Sequence, residues 1–449
     1  MPALLMACTV PFMLMRFLAS EVAAVTGGEL IGPDVPITGA GFDSRSTSPE
    51  MLFVPIVAER DGHDFIGHAA QAGAAAAFTS RDNSDGPIPL IRVDSTTESL
   101  SALAHAFRHD QHHGPDVVVA ITGSVGKTTT KDFVAGALAA YGVHAASASL
   151  NNDIGVPITL LNAPDGVATC VLEMGMRGMG EIERLCEVAR PDIGVVTRVG
   201  EAHTARLGGI DGVAQAKGEL VDSLPPNGTA VLNSDDDRVA AMATRTSAHI
   251  VTYGVNGDVR ARVCDVDDVG RHRVVIDSPW GSVEVVVPLP GAHMVSNVLA
   301  AASVCGVVTS SLDGVAGLGM TSVSAHRMAV HQHGPVTLID DCYNANPTSM
   351  MAALDTLHTD EGTECIAILG PMAEVADSNS AHRAIARYAE RLGVRIIPVG
   401  TSAYGLPPAT DPVGEALDGP QAQPRRILVK ASRSAQLEHV VEALLERVS

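Results

Sequence analysis

Lysine is nearly missing from this chain of 449 residues: Lys127, Lys131, Lys217 and Lys430 are the only four, and arginine serves elsewhere. A sequence that otherwise avoids lysine keeps some of these for chemistry that a planar guanidinium cannot perform. Positive charge is scarce overall. The formal net charge of -21 argues against nucleic acid as a partner, so any bound nucleotide must be held by local cationic groups. The seven cysteines are odd in number, scattered and never spaced as CxxC, which suits a reducing compartment, the cytoplasm, better than a disulfide framework or a zinc site. A long hydrophobic run is lacking too. Pro2 to Met15 (PALLMACTVPFMLM) is short for a membrane span, with no basic region before it and no evident cleavage site after it. Residues 1–15 therefore read as an extension ahead of a natural start near Met13 or Met15, and no stable membrane insertion is expected.

What is present describes a folded α/β protein. Hydrophobic residues make up 46% and charged residues 18%, and the length suits about three domains. The first is expected over 16–114, with short strands such as Leu52 to Val57, a helix near Phe65 to Gly73, and the polar stretch Arg108 to Asp116 as the way out. The second, over 115–322, alternates strands (Thr169 to Glu173, Ile193 to Thr197, Ala230 to Asn233) with helices, which implies a parallel sheet; a more antiparallel insert is expected from Val251 to Leu289. The third, over 323–449, has strands at Val336 to Asp340, Cys365 to Leu369 and Val394 to Val399 separated by helices, as a smaller doubly wound domain would.

The most informative stretch is Val117 to Thr130, VVVAITGSVGKTTT. Val117, Val118, Val119 and Ile121 make the continuous apolar run of a strand buried on both faces. Gly123 and Gly126 then let the backbone turn tightly, so that its amides and the following helix N-terminus point at anionic oxygens. Lys127 is placed to neutralise phosphate charge and the Thr128 hydroxyl to ligate Mg²⁺. Only two residues separate the glycines, which is shorter than the common GxxxxGK[ST] loop. Glu173 ends a second buried strand, the usual place for a functional carboxylate in an open α/β sheet, and His203 follows a third. Alone, His203 reads as a surface or satisfied core residue.

Taken in order, TGSVGKTTT, NNDIGVP (Asn151 to Pro157), EMG, AQAKGEL (Ala214 to Leu220), GAHMVSNVLAA (Gly291 to Ala301) and DDCYNANP (Asp340 to Pro347) resemble the Mur ligase family. The YNANP element, with FDSR (Phe42 to Arg45) and DGHDF (Asp61 to Phe65), is most similar to the branch that joins D-alanyl-D-alanine to UDP-N-acetylmuramoyl-tripeptide. The resemblance implies a three-domain architecture with a P-loop, parallel-sheet central ATPase domain and a smaller doubly wound C-terminal domain, and a ligase using ATP and Mg²⁺; a monomer is expected, with the oligomeric state open. It implies that Gly123, Ser124, Val125, Gly126, Lys127, Thr128, Thr129, Asn297, Arg327 and Asp341 bind ATP. It further implies that Thr128, Glu173, His203 and Lys217, the last if carbamylated, hold metal, with Lys127, Glu173, His203 and Lys217 in catalysis. Ser44, Arg45, Asn151, Asn152, Tyr343, Asn344 and Asn346 would meet substrate. Met294, Arg198, Pro371, Ala373 and His326 depart from the family's pattern. Another Mur-type ligase, folylpolyglutamate synthetase, and a non-catalytic nucleotide-binding regulator stay open as readings.

Overall fold

The computed structural model describes residues 17–82, 85–110, 112–201, 204–358, 362–375, 377–420 and 422–448. The expected N-terminal extension and His203 lie outside the described residues.

The chain forms two compact units. One comprises the described residues up to Asp116 together with Asp153–Val167. Its five-stranded sheet runs in the order Glu29–Ile31, Leu90–Arg92, Ala76–Thr79, Met51–Phe53, Gly39–Gly41. The strand expected over Leu52 to Val57 stops at Phe53, because Pro55 follows two residues later and offers no N–H to a ladder. Helix Gly155–Leu161 belongs to this unit; just past its end the Asn162 carboxamide bonds both the N–H (3.0 Å) and the carbonyl (2.9 Å) of Ala40.

The other unit holds Val117–Asn152 and Ala168–Ser449 and contains three sheets. The central sheet is six-stranded and wholly parallel, in the order His249–Tyr253, Thr229–Asn233, Ile193–Val196, Val117–Thr122, Thr169–Glu173, Val143–Ala145. The strand order reverses at Val117–Thr122, whose successors lie on opposite sides of it. That switch point opens a crevice at the carboxyl ends of the strands, where the glycine loop, Glu173 and Thr197 all emerge. Helix His293–Thr309, apolar nearly all round, packs on Lys127–Ala137. Three antiparallel strands, Arg260–Val266, His272–Ser278 and Gly281–Val286, form the expected insert; it begins later than Val251 because His249–Tyr253 joins the central sheet.

The third sheet runs Ala329–His333, Val336–Asp340, Arg425–Lys430, Glu364–Leu369, Arg395–Pro398. Only Ala329–His333 is antiparallel, as a hairpin with Val336–Asp340; the rest are parallel, with helices between them. The carboxyl ends of Val336–Asp340 and Arg425–Lys430 bring Asp341 and Lys430 to the same cavity as the central loop.

Candidate active site

The loop needs its two glycines for separate reasons. Gly123 has φ +153 and Gly126 φ +85, and a Cβ at Gly123 would sit 1.8 Å from Thr197 Oγ1, one at Gly126 2.7 Å from Asn297 Oδ1. No other residue fits either position. The loop is pinned from outside: the Thr197 hydroxyl donates to the Val125 carbonyl (2.6 Å), and the Ser124 N–H donates to the Arg198 carbonyl (2.7 Å). Arg198 thus serves the loop through its backbone, whatever its side chain.

At the loop's far end helix Lys127–Ala137 begins, and Lys127 Nζ donates to the Gly123 carbonyl at 2.9 Å. The Thr128 hydroxyl donates to Glu173 (2.7 Å), as do the Ser149 hydroxyl (2.9 Å) and the Asn151 amide (2.8 Å). Burial pushes the Glu173 carboxyl upward, but the Lys127 charge and the bonds from Thr128 and Asn151 outweigh it, leaving an anion with a lowered pKa. Lys127 keeps some area open to the cavity, yet protein encloses it closely enough that desolvation lowers its pKa, with Glu173 resisting.

Lys217 lies on helix Ile210–Asp222 and is 2% exposed, so it is no surface lysine. Its pKa falls well below the ordinary value, first by desolvation and then by the Lys127 charge, with Glu173 opposing.

Across the cavity, which has a volume of about 840 Å³, stand Lys430 of the third sheet and Arg327, Asp341 and Tyr343 of the segments flanking its strands. The Arg327 guanidinium lies 4.1 Å from the Tyr343 ring centroid, and its Nε is buried with no hydrogen-bond partner among the described residues. An orphaned buried donor in the wall suits an anion in the cavity. Asp341 pairs with buried Lys430, which also donates to the Asn344 carbonyl at 2.9 Å. Asn297 lies on helix His293–Thr309 and donates to the Met294 thioether at 3.5 Å, so the methionine supplies a soft acceptor where the family pattern has a carboxamide. Beside it the His293 imidazole is driven down to about 4 by desolvation.

The structure distributes the expected substrate residues unevenly. Tyr343, Asn344 and Asn346 line the cavity, but the Asn346 side chain also caps helix Pro347–Leu357 by accepting the Ser349 N–H at 2.9 Å. Asn151 turns to Glu173, and Asn152 is exposed. In the other unit Ser44 is half-buried, and exposed Arg45 bonds Asp43 through Nε (2.9 Å), holding that carboxyl at about 2. DGHDF is a folded knot: His63 Nδ1 meets Asp61 at 2.6 Å, while its Nε2 accepts the Ser80 N–H at 3.0 Å. Residues not anticipated include Ser149, Thr197, His293 and Arg433, none of which stands in a spacing that marks it. Lys430 was conspicuous only as one of four lysines.

Residues 121–305 match the Mur ligase middle domain and 326–446 the Mur ligase, glutamate ligase domain. The UDP-N-acetylmuramoyl-tripeptide--D-alanyl-D-alanine ligase of Escherichia coli K12 is 35% identical, covering 95% of this chain and 98% of its own. The protein of that name from Mycobacterium tuberculosis H37Rv is 38% identical, covering 85% and 82%. A crystal structure of MurF from Acinetobacter baumannii superposes with a TM-score of 0.86 at 29% identity, covering 95% of this chain and 98% of that one.

Proposed function

Since this chain belongs to the Mur ligase family, we propose that it joins D-alanyl-D-alanine to UDP-N-acetylmuramoyl-tripeptide, as its relatives' names describe, and that it draws on ATP to do so. The observation that carries the reading is the convergence, on one cavity, of a phosphate-shaped loop, a buried anion at Glu173, Lys430 of the third sheet and three residues of the segments flanking it, Arg327, Asp341 and Tyr343. Peptidoglycan precursor synthesis in the cytoplasm is the matching role. Among the described residues no helix is long and apolar enough to cross a membrane.

A carboxylate is a poor electrophile, so amide formation requires activation. The γ-phosphoryl group of ATP passes to the tripeptide's terminal carboxylate, giving an acyl phosphate. The dipeptide's free amine attacks that carbonyl, and the tetrahedral intermediate expels phosphate. Loop residues Gly123 to Thr129 present backbone amides to the phosphates, while Lys127 and Arg327 offset the charge on the transferring group. By the family pattern Asn297 would read the adenine and Asp341 would meet the ribose, and both line the cavity. Thr128 and Glu173 are hard oxygen donors suited to Mg²⁺, which when bound would supply further charge compensation. His203 is assigned to the same metal by family pattern. A carbamate on Lys217 would add an anion beside Lys127, and the depressed basicity of its amine favours the neutral form that carbamylation needs.

The test is product mass. With ATP, UDP-N-acetylmuramoyl-tripeptide and D-alanyl-D-alanine, the expected product is the UDP-linked pentapeptide. Preferential elongation of a folate with glutamate, or addition of a single diamino acid to a dipeptide precursor, would place the chain with another member of the superfamily.

A further inference from the structure

The sequence alternates around the cavity wall. Arg327, Asp341 and Tyr343 line the cavity, whereas their neighbours His326, Asp340 and Cys342 converge on one another outside it. His326 Nδ1 lies 2.7 Å from Asp340 Oδ2, and Cys342 Sγ lies 3.1 Å from Asp340 Oδ1. One nitrogen, one oxygen and one sulfur therefore lie within 4.8 Å of each other. Cys342 is fully buried and the Asp340 side chain is 5% exposed, but the His326 side chain is 32% exposed, so the cluster opens to solvent on one side. His326 is moreover held at φ +60, a left-handed conformation that strains a residue with a β-carbon. Hydrogen bonding to Asp340 is one use of that strained position. The donor set offers another.

We propose that His326, Asp340 and Cys342 bind one divalent cation of the zinc class, with a fourth position left to water. Imidazole, carboxylate and thiolate together are the ligands such a cation takes, at separations a tetrahedral ion spans with small movements. Sulfur disfavours Mg²⁺, so this site differs chemically from the oxygen donors at Thr128 and Glu173. The exchange balances. The Cys342 thiol gives its proton to solvent, a neutral His326 carries its proton on Nε2 so that Nδ1 can ligate, and the cation's two charges meet one thiolate and one carboxylate. An occupied cluster would fix the backbone that carries Arg327 and Asp341. The site escapes a search for CxxC because its ligands come from two segments joined by the hairpin Ala329–His333 and Val336–Asp340.

The test uses the full chain, freed of metal and titrated with Co²⁺ in excess Mg²⁺, reading the thiolate-to-cobalt charge-transfer absorption. One Co²⁺ per chain should give the band, Zn²⁺ should displace it, and Cys342→Ser should lack it. His326→Gly should bind roughly tenfold or more weakly. It should not melt earlier, since glycine accepts φ +60 without strain. No band in the parent, the same band in Cys342→Ser, or parent-like affinity in His326→Gly would overturn the site.

Discussion

Lys127 carries the heaviest demand of any single side chain. Its ammonium reaches back to the Gly123 carbonyl inside a loop too tight to admit a Cβ, so a guanidinium has neither the room nor the geometry to replace it. Lys127→Ala should nearly abolish turnover and Lys127→Arg should not restore it; near-normal kcat in the arginine variant would remove the loop from the mechanism. Lys217 is tested differently. Lys217→Ala should lose most activity, and acetate or formate should partly recover it by standing in for the carbamate, whereas an alanine variant as active as the parent in bicarbonate-free buffer would make the lysine purely structural. His293 governs a pH effect. Its folded pKa of about 4 lies below the ordinary value of about 6.5, so between those values the unfolded chain binds the proton that the native ring refuses. Stability should fall as pH drops through that window, by on the order of 2 kcal/mol because the ring keeps some exposure, and the loss should be complete below the folded pKa. Denaturant melts of His293→Gln against the parent should show a flatter slope there. At this scale the sequence pointed to Lys127 and Thr128 through the glycine loop that opens their helix, and to Glu173 through its place at a strand end. It could not reveal Ser149, whose role depends on a loop folding back over Glu173 from a stretch with no pattern of its own.

Elements were legible where periodicity and punctuation agreed. Thr169–Glu173 and Val336–Asp340 occur with the expected bounds, because both are short apolar runs closed by an acidic residue. Helix Gly155–Leu161 was not assignable to the first unit from sequence, since nothing local records that the Asn162 carboxamide bonds Ala40 far upstream. The insert's contact with the central unit offers an element-scale test. Trp280, the chain's only tryptophan, lies against Gly306 of helix His293–Thr309, where an added Cβ would come 2.1 Å from the indole. Gly306→Ala should therefore displace the ring, costing about 1–3 kcal/mol and shifting its fluorescence to the red. An unchanged spectrum and an unchanged melting temperature would contradict that packing.

At the scale of the molecule, the parallel central sheet and the third sheet meet at their carboxyl ends, and chemistry is placed where neither alone completes it: the loop, Lys127 and Glu173 from one, Arg327 and Lys430 from the other. The family pattern made this arrangement legible in outline, while the ion pair of Asp341 with Lys430 and the unpartnered Arg327 Nε emerged only from the packing. Such a site should couple phosphoryl transfer to amide formation, because an acyl phosphate is productive only when the amine intercepts it. The direct measurement is phosphate released from ATP alongside UDP-linked pentapeptide formed, with each substrate omitted in turn. One phosphate per amide bond, and little release when either the tripeptide or D-alanyl-D-alanine is missing, is the expected result; phosphate release at the full rate without them would show that the chain hydrolyses ATP for another purpose.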